Sequence, residues 1–491
     1  MIAHISLSIV VEWMADIDLW TWLVWLGRFI GILLVPSVLM QRSTRPVTAL
    51  AWILALLFLP YVGALLWWIL GRNHIERHSR RHLRAHNRLA PSYEALQKSS
   101  AAKMADRGLT QPLIVVDEGG LFPTTHDNTV AIYENSQSAF DAFVSTIEDA
   151  TDHVHLQFYI WRQDETGIRF RDLLAKKARQ GVEVRLLYDA LGAVSIGRHF
   201  FDPITEAGGQ IAAFLPVHLW ERRLRVNFRN HRKLLIVDGQ IGFTGGVNIA
   251  DEYLDWFDMA FGFAGASVLQ IQEIFAEDWY FATDEDLVER RYFPPVKMLD
   301  PAIMDNAIEG AAARFVASGP DDRIDRIHKI FFTAITSTAR RLHIITPYMV
   351  PDNAILTALQ TAAMRGVDVR IVVPGRSDVA LTQHAGRAFW EPLLEAGVRI
   401  YEYQRRILHA KVLIADHSHC IVGSANMDIR SFRLNFEANA IIESDAVNEE
   451  MEEIFQLALN DSLEVDLEQF RDRPRRARLL EGVSRLFSPL L

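Results

Sequence analysis

His231-Arg232-Lys233-Leu234-Leu235-Ile236-Val237-Asp238, followed by Gly245-Gly246-Val247-Asn248, has a counterpart later in the chain. That counterpart is His409-Ala410-Lys411-Val412-Leu413-Ile414-Ala415-Asp416, followed by Gly423-Ser424-Ala425-Asn426. Both stretches read HxKx4D, with a Gly seven residues and an Asn ten residues beyond the Asp. The apolar run between Lys and Asp has the length and composition of a buried strand. On an extended chain a His and a Lys two residues apart project to one face, so each copy offers an imidazole beside an ammonium.

Working outward, each copy ends a longer repeated unit. His153–Ile160 reads as a strand, Arg169–Arg179 as a helix and Val182–Asp189 as a strand again. The second unit repeats the order with a strand at Leu342–Thr346, a helix around Ala354–Arg365 and a strand at Val367–Pro374. Such alternation predicts βαβ units and a largely parallel sheet. Gly181-Val182-Glu183-Val184-Arg185 corresponds to Gly366-Val367-Asp368-Val369-Arg370, an offset of 185. Ala207-Gly208 corresponds likewise to Ala396-Gly397 ahead of Val398–Tyr403. An offset of that size is a domain rather than a solenoid repeat. The fold class is therefore α/β, with two homologous lobes and an interface between them, where pockets commonly form.

The 491 residues are half hydrophobic, carry a net charge of −10 and include one Cys and twelve Trp. One Cys excludes an internal disulfide and a Cys-rich zinc site. The acidic total argues against a nucleic-acid binder, although local patches escape such a total. Val47–Leu70 is a run of 24 residues without a charge. A bilayer core needs about 20 apolar residues as helix, so this run is expected to span, with Trp52, Trp67 and Trp68 towards its ends. Leu19–Met40 is a second candidate despite Arg28, whose cost is offset by the apolar residues around it. Acidic Glu12, Asp16 and Asp18 precede it, which speaks against a cleaved signal peptide. Between the two candidate spans lie only Arg42 and Arg45, whereas residues 72–107 hold nine Lys and Arg against three Asp and Glu. That excess places everything after residue 71 on the cytoplasmic side.

Paired imidazoles and ammonium groups suit phosphodiester chemistry without a metal. Lysines and amide donors neutralise the non-bridging oxygens. One imidazole attacks phosphorus while the other gives a proton to the leaving alkoxide. No cluster of Asp, Glu and His with metal-ligand spacing accompanies the motifs, so no cofactor or metal is expected.

The doubled HxKx4Dx6GxxN pattern resembles the phospholipase D superfamily. Together with the apolar N-terminal segments it is similar to bacterial cardiolipin synthases of the phospholipase D type. Further matching stretches are Ala51-Trp52-Ile53-Leu54, Leu59-Pro60-Tyr61-Val62-Gly63, Phe158-Tyr159-Ile160-Trp161, Thr346-Pro347-Tyr348, Asn435-Phe436-Glu437 and Phe487-Ser488-Pro489-Leu490-Leu491. The likeness runs from about residue 20 to the last. It implies a ping-pong phosphatidyl transfer from one phosphatidylglycerol to another, through a phosphatidyl-histidine, giving cardiolipin and glycerol. It also implies His231 as nucleophile and His409 as acid and base, with Lys233 and Lys411 on phosphate and Asp238 and Asp416 structural. Asn248, Ser424 and Asn426 would support the phosphate. An orienting carboxylate is expected 25–32 residues after each His, where Asp258 and Glu437 stand; the alternative in the first lobe is that Asp258 or Asp255 merely sits in a polar turn. Gly246 departs from the family's Ser, leaving backbone N–H groups and Thr244 as substitutes. A hydrolase using water as acceptor is the alternative activity.

Two further stretches are basic. Glu221–Lys233 contains Arg222, Arg223, Arg225, Arg229, Arg232 and Lys233, read here as a lip facing anionic headgroups. Arg471–Leu491 mixes six Arg with Leu479, Leu480, Val483, Leu486 and Phe487, an amphipathic pattern. The expected organisation is an anchor over 1–71, a basic linker over 72–125, lobes over 126–300 and 301–470, and a basic amphipathic segment over 471–491. The expected setting is the bacterial inner membrane, multi-pass, with cytoplasmic lobes and an anionic phospholipid substrate; the oligomeric state is left open.

Overall fold

The computed structural model describes residues 19–41, 46–71, 122–197, 199–216, 228–296, 304–320, 322, 324–417 and 419–488. The basic stretch at 72–107, the connector with Arg42 and Arg45, and Arg222, Arg223 and Arg225 lie outside the described residues, as do the acidic residues before Leu19 and the last three positions. The chain divides into two compact units.

The N-terminal unit is helical. Helix α1, Leu19–Gln41, is the one described helix long and apolar enough to cross a membrane. Arg28 lies within it, its guanidinium 5.6 Å from the Trp25 ring centroid. The continuous span expected over Val47–Leu70 does not form. It is divided into α2, Pro46–Phe58, and α3, Pro60–Leu66, the latter continuing as a wider π turn to Gly71. Pro60 has no N–H to offer the Leu56 carbonyl, and its ring clashes with a carbonyl four residues back. Leu59 accordingly leaves helical geometry, at φ −126° and ψ 59°. The chain then turns back on itself. Trp52 and Trp67, which a continuous helix would hold about 22 Å apart, have ring centroids 5.3 Å apart. A Cβ at Gly63 would collide with the Ala55 carbonyl, and one at Gly31 with that of Leu56, so glycine permits both approaches. At about 20 Å, a 13-residue α2 is too short to cross alone.

The second unit is built on one mixed sheet. Its first lobe contributes β1 (Thr125–Tyr133), β2 (His153–Phe158), β3 (Glu183–Asp189), β4 (Gln210–Phe214), β5 (Leu234–Val237), β6 (Ile241–Gly245) and β7 (Ala260–Ala264). The second contributes β8 (Ala307–Ser318), β9 (Arg341–Ile345), β10 (Asp368–Pro374), β11 (Arg399–Tyr403), β12 (Val412–Ala415), β13 (His419–Gly423) and β14 (Asn435–Glu443). The spatial order β4-β3-β2-β5-β6-β7-β1 is repeated in β11-β10-β9-β12-β13-β14-β8, and β1 pairs antiparallel with β8 where the lobes meet. The duplication is thus a structural one, running outward from a central seam.

The sheet is less parallel than the alternation implied. Among the strands named, β2-β3-β4 and β9-β10-β11 run parallel to one another, while the motif strands β5 and β12 pair antiparallel on both sides. The reason is local. Asp238 and Gly239 adopt φ values of 53° and 63°, closing a tight turn from β5 into β6. So short a connection joins only antiparallel strands, because a parallel pair needs a crossover of a dozen residues. Asp416, at φ 51°, makes the corresponding turn from β12 into β13.

Each lobe has an apolar core of its own, with Leu156, Phe170 and Leu235 in the first and Ile344, Leu359 and Leu413 in the second. A third cluster joins them, with Leu187, Leu234 and Phe263 from the first lobe and Val372, Val412 and Phe436 from the second. Helix α4, Ser267–Thr283, supplies Ile271, Phe275 and Trp279 to it. Burial across the seam fixes the lobes against each other, which gives the site between them its precision.

Candidate active site

The two motif strands approach the seam from opposite sides, and short crossing pairings tie them there. Arg229–Asn230 pairs in parallel with Asn435–Phe436, and Phe257 bridges to Leu408. The His231 N–H donates to the Phe436 carbonyl at 2.9 Å, and the His409 N–H donates to the Phe257 carbonyl at 2.8 Å. Each motif histidine is therefore held by backbone of the other lobe. His231–Lys233 lies just ahead of β5 rather than in its ladder, as does His409–Lys411 ahead of β12.

The carboxylates cross as well. Glu437 of the second lobe lies 3.1 Å from Nδ1 of His231, and Asp258 of the first lobe lies 2.6 Å from Nδ1 of His409. Both carboxylates are fully buried, whereas Asp255 is exposed. With Nδ1 occupied in each ring, Nε2 is the nitrogen left for chemistry. Both histidines line a cavity of about 500 Å³ at the seam.

Lys233 donates to the His231 carbonyl at 2.7 Å, and Lys411 bonds the His409 carbonyl and lies 2.9 Å from its Nδ1. All four groups are buried, which sets their protonation. Burial pushes His231 down to about 4, with Lys233 adding to the effect and Glu437 opposing it. Burial likewise lowers Lys233 to about 7, against the pull of Glu437, and lowers His409 and Lys411. Both imidazoles are thus neutral nucleophiles or bases until an anion enters. A phosphate there restores the charged form of its neighbours.

Asp238 and Asp416 face away from the cavity. Asp238 accepts from the N–H groups of Thr151, Asp152 and His153 and from the Thr151 hydroxyl. Asp416 accepts from those of Ala339, Arg340 and Arg341. Each thereby clamps the start of the adjacent parallel strand, β2 or β9, to the motif hairpin. Gly245 and Gly423 both sit at φ 151°, where a Cβ would strike the carbonyl of Met259 or Ala438.

Asn248 and Asn426 line the cavity. Asn248 accepts from the Ile160 N–H at 3.0 Å and donates to the Tyr253 hydroxyl at 2.7 Å, while Asn426 donates to Asp428 at 3.3 Å. The Ser424 hydroxyl donates to Glu437 at 2.5 Å and so braces the carboxylate behind His231. Gly246, its counterpart, lies where a side chain would overlap Asp258. Its missing hydroxyl is therefore a matter of space beside that carboxylate. The Thr244 hydroxyl is buried in β6 and does not line the cavity.

Two readings of the basic run need correcting. Arg232 is no part of a lip: it is buried, bonding Asp278 at 2.7 Å and the carbonyls of Ser318 and Glu437. Arg229 is buried too and lines the cavity. Burial with partners wins here because Arg229–Asn230 is itself paired with Asn435–Phe436 across the seam.

Aromatic residues close the site, and sequence reasoning assigned them no role. Tyr159 stands 5.0 Å from the His231 ring; Trp256, Tyr253 and Tyr348 stand 5.2, 5.8 and 6.4 Å from that of His409. Asp378, Asp428 and Arg430 also line the cavity. Tyr159 directly follows β2, and Tyr348 lies three residues beyond β9.

Two histidines on one cavity, each with a buried lysine two residues further on, at the seam of a duplicated mixed sheet, define a phospholipase D-like protein. The family described as "Cardiolipin synthase, PLD-like domain" matches residues 143–279 and 331–458, and the one described as "Phospholipase_D-nuclease N-terminal" matches residues 19–72. A cardiolipin synthase of Geobacillus kaustophilus is 36% identical over 492 residues, 95% of each chain. Cardiolipin synthase 1 of Bacillus anthracis is 36% identical, covering 95% of this chain and 94% of its own. The crystal structure of phosphatidylserine synthase from Haemophilus influenzae shares the fold, with a TM-score of 0.55 at 14% identity, covering 74% of this chain and 95% of that one. The chain belongs to the cardiolipin synthase family of phospholipase D-like proteins.

Proposed function

We propose that this enzyme makes cardiolipin by moving a phosphatidyl group between two phosphatidylglycerols. The observation that carries the mechanism is the crossed pair of carboxylate–imidazole contacts on one cavity. His231 Nε2 attacks phosphorus; the bond from phosphorus to the glycerol oxygen breaks, and His409 gives that oxygen its proton. A phosphatidyl-histidine results. The hydroxyl of a second phosphatidylglycerol then attacks, His409 takes its proton, and the phosphorus–nitrogen bond breaks to release cardiolipin and free His231. Lys233, Lys411 and the cavity asparagines balance the charge on the non-bridging oxygens. Asp238 and Asp416 hold the motif hairpins and take no part in proton transfer.

The apolar N-terminal helices hold the enzyme in the bacterial inner membrane, with the lobes on the cytoplasmic side. α1 crosses, and the folded-back α2–α3 pair enters the same layer and returns. This arrangement leaves acidic Glu12, Asp16 and Asp18 outside and every flanking Arg inside, as charge bias favours. It replaces the two complete spans expected from residues 19–40 and 47–70.

Purified enzyme in phosphatidylglycerol vesicles should release glycerol and accumulate cardiolipin, and His231→Ala should abolish both. Phosphatidic acid as the main product would favour hydrolysis by water instead.

A further inference from the structure

Thirteen large apolar side chains are exposed among the described residues of the second unit, and seven of them gather on two adjoining helices and the residues flanking them. Helix α5, Ala380–Arg387, is preceded by Val379, and Val379 and Thr382 form part of the cavity wall. Val379 and Leu381 are exposed. Helix α6, Arg475–Arg485, packs against α5 and its continuation. Arg387 lies 3.5 Å from Glu481, and the Arg485 guanidinium lies 4.4 Å from the Phe389 ring centroid.

The outward side of α6 and of the turn that follows it carries Leu479, Leu480, Val483, Leu486 and Phe487, spaced at i, i+1, i+4, i+7 and i+8 along one stripe. Leu479 is 70% exposed and Leu486 78%. Arg475, Arg476, Arg478 and Arg485 are exposed around the stripe. The one acidic residue of the helix, Glu481, is buried and bonds Arg473 at 2.9 Å. The open face is therefore apolar with a cationic border. At 11 residues, about 16 Å, α6 is too short to cross a bilayer and suits the interface plane.

We propose that α6, together with the Val379–Leu381 end of α5, is a docking surface for an anionic lipid bilayer, placed beside the cavity so that lipid headgroups enter it from the surface. The apolar stripe sinks to the headgroup–acyl boundary, and the arginines meet lipid phosphates. This surface is additional to the N-terminal helices; its catalytic value rests on the cavity taking lipid, but docking does not.

The test labels full-length Leu486→Cys with an environment-sensitive fluorophore, the native Cys420 being buried in β13. In phosphatidylglycerol vesicles the emission should shift to the blue and be quenched by nitroxide-bearing lipids. A label still reached by aqueous iodide there overturns the proposal. So does one shielded from iodide yet untouched by nitroxide lipids, since a protein then covers the face. Leu479→Ser with Leu486→Ser should raise the vesicle KM about tenfold and leave turnover of dilute monomeric dibutyryl-phosphatidylglycerol unchanged. An equal loss on both substrates, or none on vesicles, also overturns it. If the label is lipid-buried while the wild type makes no cardiolipin, the activity reading fails and the docking surface stands.

Discussion

Asp258, just ahead of β7 in the first lobe, lies 2.6 Å from Nδ1 of His409 in the second, and the reverse pairing joins Glu437 to His231. Neither motif histidine takes its carboxylate from its own lobe. The site exists only when the seam is closed.

This crossing predicts what each carboxylate serves. In Asp258→Asn the ring of His409 loses its orienting acceptor, so both the proton donation that forms the covalent intermediate and the proton removal that resolves it should slow about 10²-fold or more. Acid quenching with radiolabelled phosphatidylglycerol should still trap phosphatidyl-enzyme, because His231 keeps its own carboxylate. In Glu437→Gln the attack of His231 itself should slow, and no phosphatidyl-enzyme should accumulate. Identical trapping in both variants would contradict the assignment of His231 as nucleophile.

The pH dependence follows from burial. His231 must be neutral to attack, and burial holds it down to about 4, so kcat/KM should rise as pH climbs through that value. Lys233 must be charged to hold phosphate and His409 must carry the proton it gives to the leaving oxygen; burial lowers both, Lys233 to about 7, so kcat/KM should fall as pH rises through these lowered values. Bound phosphate favours the charged ammonium, so the alkaline limb of kcat should lie at higher pH than that of kcat/KM. Rate profiles with a soluble short-chain substrate check both limbs.

Asp238→Ala should act on stability. It leaves three backbone N–H groups and a hydroxyl short of their acceptor, a loss of about 2–4 kcal/mol, read as a lower Tm. Asp238→Asn tolerates the left-handed conformation and should recover part of it. Burial raises the Asp238 pKa, but the donors of Thr151, Asp152 and His153 outweigh it and hold the carboxyl below its ordinary range. Its contribution is therefore present above the ordinary carboxylate pKa and is lost as pH falls through the depressed value. Asp416 is depressed in the same way, so Asp416→Ala should show the same dependence in thermal melts.

The fold-back at Pro60 makes a topological prediction. Reporter fusions at residue 44 and at the C-terminus should both report the cytoplasmic side. Opposite sides would restore a complete second span. Pro60→Ala should favour the continuous helix, because it returns an N–H to the Leu56 carbonyl.

Much of this was readable in the chain itself. The strands expected at His153–Ile160, Val182–Asp189 and Val367–Pro374 appear within two residues of those limits, because their apolar periodicity reflects burial on both faces. The motif histidines and lysines were legible because they recur at fixed spacing. Tyr253 and Trp256 were not, since an aromatic at a site looks in sequence like one in a core. Nor was the burial of Arg229 and Arg232 legible, since a run of cations reads as solvated until its partners are placed.

The sequence by itself determined the duplication, the two HxKx4D hairpins and the chemistry that an imidazole beside an ammonium permits, because these depend on spacing along one strand and one turn. The tertiary structure alone decided which carboxylate serves which histidine. Asp258 and Glu437 follow the histidines of their own lobes at equivalent spacing, so the one-dimensional pattern favours pairing within a lobe. The exchange comes from backbone pairing across the seam, Arg229–Asn230 against Asn435–Phe436 and Phe257 against Leu408. The same holds at Pro60: hydropathy measures how apolar a run is, while the turn depends on where its backbone hydrogen bonds can close.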